Sequence, residues 1–130
     1  MPWVEVFAVF VVSHLSGDYL LQTEWQATNK RGGLGSDPVA RRALLAHIAT
    51  YVLAFVPALV WLADDLGAGV LWVAALIGIP HLVQDDGRLL TGYISRVKGA
   101  PAARNPAIFA AVDQTFHILT LFLIALLAGS

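Results

Sequence analysis

The chain has 130 residues, 58% of them hydrophobic and 13% charged, with a mean hydropathy of +0.70 and a formal net charge of −1. This composition is too apolar for a water-soluble domain of that size. The net charge gives no indication of nucleic-acid binding, and we expect no nucleic-acid partner. The absence of cysteine excludes disulfides and thiolate metal ligands. We therefore expect a single all-α integral membrane domain over residues 1–130.

Four apolar stretches approach the roughly 20 residues that a membrane-spanning helix needs. They cover residues 2–22, 40–63, 69–86 and 106–128, and they predict a four-helix bundle. The first stretch has no basic flank and no small-residue cleavage site, and it carries His14 and Asp18. We therefore expect it to be a span of the bundle and not a cleaved signal peptide.

The basic residues predict the orientation, because every lysine and arginine falls within residues 30–42 or 88–104. By the positive-inside rule both segments are cytoplasmic, so the two termini and the turn at 64–69 face outward. The first loop, TEWQATNKRGGLGS at 23–36, is glycine-rich, and we expect it to be irregular. Residues 88–98 carry their apolar side chains on one face, which predicts a short helix on the cytoplasmic membrane surface.

A histidine and an aspartate four residues apart occur three times, as HLSGD at 14–18, HLVQD at 81–85 and, reversed, DQTFH at 113–117. Residues at this spacing share one face of a helix. The first and third spans run inward and the fourth runs outward, so the reversal keeps every histidine on the same side of its aspartate. At 1.5 Å per residue we expect two layers. The layer nearer the cytoplasm holds Asp18, His47, Asp85 and Asp113, and the deeper one holds His14, Tyr51, His81 and His117.

These groups predict a metal site, because an ionisable side chain inside a membrane costs at least about 2.5–3.5 kcal/mol and needs a partner. We expect no lysine or arginine to reach the three aspartates, whereas a divalent cation would neutralise them. Imidazole and carboxylate suit zinc first, then iron or manganese, as one ion or as two bridged by a carboxylate or water. The candidate ligands are His14, Asp18, His47, His81, Asp85, Asp113 and His117. Hydrogen bonds to these ligands are expected from Gln22, Tyr51 and Gln114.

The leading hypothesis for function is a metal-dependent hydrolase that acts on a phosphoester or lipid-linked substrate at the cytoplasmic leaflet. Two divalent ions outweigh three aspartates in charge, which favours an anionic substrate. Asp18, Asp85 and Asp113 are the candidate catalytic residues, and Arg42 and Arg88 are the candidate substrate-binding residues, although topology alone also explains the basic side chains.

Two alternatives use the same residues. The first is transport of a metal ion or proton, and the second is a non-catalytic membrane partner with a structural metal. Membrane lipid is the expected partner in each case. Small residues within GVLWVAALIG, at 69–78, would also permit close helix contact in a homo-oligomer or with another membrane protein.

The elements DYLLQT at 18–23 and DQTFH at 113–117, together with His14, His47, Tyr51 and His81, resemble a family of small bacterial membrane proteins. This family is catalogued as domain of unknown function 3307, and the resemblance spans nearly the whole chain. The chain is also loosely similar to inner-membrane metal-dependent hydrolases with His- and Asp-rich spans. The resemblance implies a multi-pass protein of the bacterial inner (cytoplasmic) membrane. Arg88 stands where this family commonly has a lysine, which keeps the charge but changes its geometry.

Overall fold

The computed structural model describes residues 1–130 and contains no β-strand, so the all-α prediction is confirmed. Its α-helices are α1 (Trp3–Leu15), α2 (Glu24–Asn29), α3 (Pro38–Ala54), α4 (Val56–Leu66), α5 (Val70–Asp86), α6 (Arg88–Lys98), α7 (Ala100–Ala103) and α8 (Pro106–Ala128). A π-helical turn (Ser16–Leu20) extends α1, and a 3₁₀ turn (Gly67–Gly69) joins α4 to α5. Helix α6 forms where the amphipathic pattern predicts it, while its place on a membrane surface stays a prediction.

The starts of α3 and α8 follow from the same local chemistry. The Asp37 carboxylate accepts hydrogen bonds from the first turn of α3, and the Asn105 side chain does so for α8. Pro38 and Pro106 occupy the first helical positions, where no backbone donor is needed. These signals fix where the two helices begin.

The predicted stretch 40–63 does not form one continuous helix, because α3 ends at Ala54 and α4 begins at Val56. Pro57 has no N–H, and its ring would clash with the carbonyl of Leu53 in an uninterrupted helix. The Phe55 N–H instead donates to the carbonyl of Val52, at 3.0 Å. Helices α3 and α4 therefore follow one another as two separate segments.

The expectation of an irregular first loop is wrong over Glu24–Asn29, where α2 forms. Thr23 accepts a hydrogen bond from the Gln26 N–H, and the Gln26 side chain accepts one from the Thr23 N–H. This reciprocal capping box is visible in the sequence as T-x-x-Q. The glycine-rich residues that follow are tied to the end of α5, since Gly32 N–H donates to the Asp86 carbonyl at 2.8 Å.

The long helices pack around one buried interior. Helix α1 contacts α8, α8 contacts α5, α5 contacts α3, and the π-helical turn contacts α3. Part of this interior is an apolar core of Val6, Phe10, Tyr51, Phe55, Ala58, Leu62, Val73, Ile77, Leu121, Ile124 and Ala125. Both termini lie beside the α4–α5 turn, because the Met1 amino group is 2.6 Å from Asp65 and Ser130 N–H donates to the Met1 carbonyl.

Three helical stretches are long and apolar enough to cross a membrane, namely Trp3–Leu20, Val56–Asp86 and Pro106–Ala128. The middle stretch contains Gly67 at φ 53°, and α4 packs against α5. The chain therefore turns within this stretch. Large apolar side chains on the outer surface include Leu20, Val60, Leu71, Trp72 and Leu127. So much exposed apolar surface indicates association with a membrane.

Gly17, in the π-helical turn, packs closely against Tyr51 of α3. A Cβ at this position would lie 2.7 Å from Tyr51 Cδ2 and 3.3 Å from Tyr51 Cα. We expect Gly17→Ala to lower the free energy of unfolding by about 1–3 kcal/mol, because the contact has no room for a methyl group. Thermal unfolding in detergent measures the effect.

The matched control is Gly92→Ala in α6, where a Cβ would meet no atom within 4 Å. Removing a helical glycine there should leave stability unchanged or raise it by up to about 1 kcal/mol. Equal losses in the two variants would contradict the importance of the Gly17 contact.

Candidate metal centre

Four segments bring the predicted ligands together. The π-helical turn carries Asp18, α3 carries His47, α5 carries His81 and Asp85, and α8 carries Asp113 and His117. The three His/Asp motifs do converge, as their spacing predicts. All four histidines are buried, as are Asp18 and Asp85, whereas Asp113 is partly exposed.

The first cluster, called the four-ligand group, consists of Asp18, His47, His81 and Asp85. The Nε2 atoms of His47 and His81 are 3.1 Å apart. Asp18 Oδ1 lies 3.2 Å from each of them, and Asp85 Oδ2 lies 2.8 and 3.0 Å from them. A tetrahedral zinc ion with bonds of about 2.0–2.1 Å holds its ligand atoms roughly 3.3 Å apart. The measured distances are near this value.

Hydrogen bonding alone does not satisfy this group. Each neutral imidazole has one N–H, yet the two Nε2 atoms face each other as well as the two carboxylates. Asp18 Oδ1 is buried and makes no hydrogen bond of acceptable geometry, even though two ring nitrogens lie 3.2 Å away. Four atoms with lone pairs therefore converge on one point, where they could hold a metal ion.

The second cluster, called the three-ligand group, consists of Asp85, Asp113 and His117. His117 Nε2 lies 3.1 Å from Asp85 Oδ1 and 3.3 Å from Asp113 Oδ1. Asp85 thus presents one carboxylate oxygen to each group. This division is the arrangement that a carboxylate needs to bridge two metal ions.

Aromatic and amide side chains hold the ligands in position. The His81 ring stacks on Tyr51 at a centroid distance of 3.6 Å and on His117 at 4.1 Å. Gln114 donates from Nε2 to Asp18 Oδ2 at 3.1 Å, and its Oε1 lies 2.7 Å from His14 Nε2. Tyr51 and Gln114 therefore lie where hydrogen bonding to the predicted ligands requires them.

His14 lies outside both groups, and its assignment as a ligand stays a prediction. Its Nδ1 is 2.9 Å from the Tyr51 hydroxyl, and its Nε2 is 3.8 Å from Asp18 Oδ2. The π-helical turn widens the helix between residues 14 and 18, and Asp18 lies closer to the histidines of α3 and α5 than to His14. This geometry favours a supporting position for His14.

A pair of variants distinguishes a histidine that binds the metal from one that supports a ligand. We expect His47→Gln to lose the ion of the four-ligand group, because it removes a ligand atom. His14→Gln should retain full stoichiometry at saturating metal while its affinity falls by about 10–100-fold, as for residues that support a ligand. Metal per chain after saturation and desalting gives the measurement. Equal stoichiometric loss in both variants would make His14 a ligand.

The expectation that no basic side chain reaches the aspartates is wrong. Lys30 Nζ donates to Asp85 Oδ2 at 2.9 Å and to Gln22 Oε1 at 2.7 Å. The glycine-rich loop places it there, since Leu34 N–H donates to Asp86 Oδ1 and so holds the loop on the end of α5. The T-x-x-Q pattern indicates α2, but no periodicity in the sequence indicates that the loop folds back onto the site.

Lys30 changes the charge balance of the site. Three carboxylates and one ammonium group carry a charge of −2. One divalent ion would make the centre neutral, whereas two would leave it at +2. The number of bound ions therefore determines whether the centre attracts an anion.

The cavity next to Asp85 and Asp113 has a volume of about 180 Å³. Its lining includes Lys30 and Arg31, whose proximity to the site the sequence analysis missed, but neither Arg42 nor Arg88. The Arg31 guanidinium lies 3.6 Å from the centroid of the Phe109 ring. Two cationic side chains, Lys30 and Arg31, therefore lie around the same cavity as Asp85 and Asp113 of the three-ligand group.

Arg42 and Arg88 lie elsewhere on the surface. Arg42 is exposed on α3. Arg88 donates from Nε to Asp86 Oδ2 at 2.7 Å, and this carboxylate raises the pKa of the Arg88 guanidinium. The predicted role of both arginines in substrate binding stays a prediction.

Fold and site together define an all-α protein with helices suited to a membrane and a buried His/Asp centre that could hold a metal ion. Over residues 6–130 the chain matches the family described as "Protein of unknown function (DUF3307)", and it belongs to that family, as the resemblance of its motifs predicts. No curated protein and no solved structure matches the chain. The looser likeness to metal-dependent hydrolases therefore stays a similarity of pattern.

Proposed function

We propose that this protein is a metal-dependent hydrolase of the bacterial inner membrane that acts on a phosphoester at the cytoplasmic leaflet. In this proposal α1, α3 with α4, α5 and α8 form a four-helix membrane bundle. The ring of helix contacts supports it, as does the position of both termini beside the α4–α5 turn. The basic segments then face the cytoplasm and the termini face outward, by the positive-inside rule.

The observation that carries the proposal is the position of Asp85. One of its oxygens belongs to the four-ligand group and the other to the three-ligand group, and the residue also lines the cavity that includes Lys30 and Arg31. Imidazole and carboxylate ligands suit zinc, and also iron or manganese. When bound, one or two such ions would supply Lewis acidity at a phosphoryl oxygen and acidify a water molecule.

The side chains have separate parts in this reaction. Asp18 and Asp85 are deeply buried and hold charge within the centre, whereas Asp113 is partly exposed at the cavity and can accept a proton from water. Lys30 and Arg31 orient the phosphate by charge. Water oxygen bonds to phosphorus, the P–O bond to the alcohol breaks, and the proton that water loses finishes on the alcohol oxygen.

The apolar core weighs against transport. Beyond the His/Asp centre, the interior toward the termini is filled by residues such as Phe10, Leu62 and Leu121, all at most 2% exposed. An ion would find no polar ligands along that route. The site is approached instead from the end where Lys30 and Arg31 lie, which suits a substrate from the cytoplasmic side.

Hydrolysis of a short phosphomonoester by purified protein in nanodiscs tests the proposal. We expect zinc- or manganese-dependent release of inorganic phosphate by the wild type and loss of turnover in His117→Ala. Asp64→Asn is the control, because Asp64 is exposed in α4, far along the chain from the ligands. Turnover that persists in His117→Ala would contradict the catalytic assignment. A metal-loaded wild type without activity would favour the alternative of a structural metal.

A further inference from the structure

A second cavity, here called the apolar cavity, lies between α5, α6 and α8 and also has a volume of about 180 Å³. Five of its six lining residues are hydrophobic, and the lining consists of Val83, Gln84, Leu89, Leu90, Tyr93 and Phe116. Tyr93 packs edge-on against Phe116, at a centroid distance of 5.0 Å. This contact holds the amphipathic helix α6 against α8.

Gln84 lines both the apolar cavity and the cavity beside the metal-binding groups, here called the polar cavity. Its Nε2 donates to Thr120 Oγ1 at 2.9 Å, while its Oε1 is buried and makes no hydrogen bond within the protein. The unpaired acceptor therefore belongs to a residue that lines both cavities.

The two cavities share Gln84 in their linings and differ in chemistry. The polar cavity offers Lys30 and Arg31 to an anion, and only two of its eight lining residues are hydrophobic. Its volume is small beside the roughly 300–1,000 Å³ of sites for whole drug-sized ligands. It accommodates a headgroup, whereas the apolar cavity accommodates part of a hydrocarbon chain.

We infer that the substrate is a membrane-embedded phosphate monoester of a long-chain alcohol, with its phosphate in the polar cavity and the start of its chain in the apolar cavity. This inference rests on the proposed function and narrows it to one substrate class. Hydrolysis at this site would release inorganic phosphate toward the cytoplasm and leave the alcohol in the membrane. The monoester must therefore be supplied by a reaction that phosphorylates a lipid alcohol or removes one phosphate from a lipid diphosphate.

Binding of alkylphosphonates tests the inference, because their P–C bond resists hydrolysis. Ethyl-, hexyl- and dodecylphosphonate are added to metal-loaded protein in nanodiscs, and thermal shift reports binding. Partitioning into lipid raises the apparent affinity of the longer alkylphosphonates, and it does so equally for every variant. The informative quantity is therefore the ratio of wild-type to variant affinity at each chain length.

Leu89→Asn places a polar group in the apolar cavity, and Val97→Asn is its control. Both side chains lie on α6 and are exposed, at 71% and 61%, but only Leu89 lines the cavity. We expect Leu89→Asn to lower the affinity for dodecylphosphonate roughly tenfold and to leave the affinity for ethylphosphonate nearly unchanged, as for other apolar binding pockets. Val97→Asn should match the wild type. A Leu89→Asn effect that is the same for all chain lengths would overturn the inference.

The headgroup is tested separately with Arg31→Met and its control Arg96→Met, an exposed arginine of α6 outside both cavities. Dodecylphosphonate should bind more weakly to Arg31→Met only, and dodecyltrimethylammonium should not bind the wild type. Equal binding of the cationic amphiphile would overturn the inference. If short phosphoesters were hydrolysed but no variant effect depended on chain length, the inference would be overturned. The proposed hydrolase activity would still hold.

Discussion

An Asp85→Asn variant is expected to lose both bound ions and to retain less than about one hundredth of the wild-type turnover. In the wild type one oxygen of Asp85 faces the four-ligand group and the other faces the three-ligand group, so one substitution weakens both sites at once. The amide keeps the size of the side chain but removes the charge that attracts the cations. It also leaves the partly buried Lys30 ammonium without its carboxylate partner, which destabilises the fold.

The comparison with Asp113→Asn makes this prediction specific. Asp113 belongs to the three-ligand group alone, so this variant should lose no more than one ion per chain. Metal content and turnover are measured on the same preparations, after size-exclusion chromatography shows that each variant is folded. If Asp85→Asn retained one tightly bound ion, Asp85 would not link the two groups.

Removal of metal by a chelator is expected to lower the melting temperature of the wild type by about 10–20 °C. An ion present at 1,000 times its dissociation constant stabilises the folded state by about 4 kcal/mol. For a chain of this length each kcal/mol corresponds to roughly 3–5 °C. Without cations Asp85 lies close to both Asp18 and Asp113, and the Lys30 ammonium offsets only part of their repulsion.

The Asp85→Asn variant is the matched control for chelation. Since it should bind no metal, its melting temperature should be the same with and without chelator. Added zinc should restore the melting temperature of the chelated wild type and should not change that of the variant. An unchanged melting temperature in the chelated wild type would show that the ions, if bound, contribute nothing to the stability of the bundle.

Helical spacing and the cost of charge in a membrane were sufficient to predict that the three His/Asp motifs converge. Residues four apart share a helix face, and ionisable side chains must turn that face inward. The reversed order in 113–117 likewise brings His117 of α8 to Asp85 of α5. His47 could be added because its distance along α3 matches the level of the aspartates.

Other features depend on contacts that helical periodicity does not contain. The π-helical turn directs Asp18 toward His47 and His81, whereas a regular helix would pair it with His14. Lys30 reaches Asp85 only because backbone groups of the glycine-rich loop bond to Asp86. By contrast, the break at Phe55 has a visible cause in Pro57.

The most direct test of the central claim is elemental mass spectrometry of the protein purified in mild detergent without added metal. A His47→Ala, Asp85→Ala double variant is measured beside it. We expect one or two equivalents of zinc, iron or manganese per wild-type chain and none in the double variant. Wild-type protein free of metal, or metal retained in full by the double variant, would contradict the assignment of this His/Asp cluster as a metal centre.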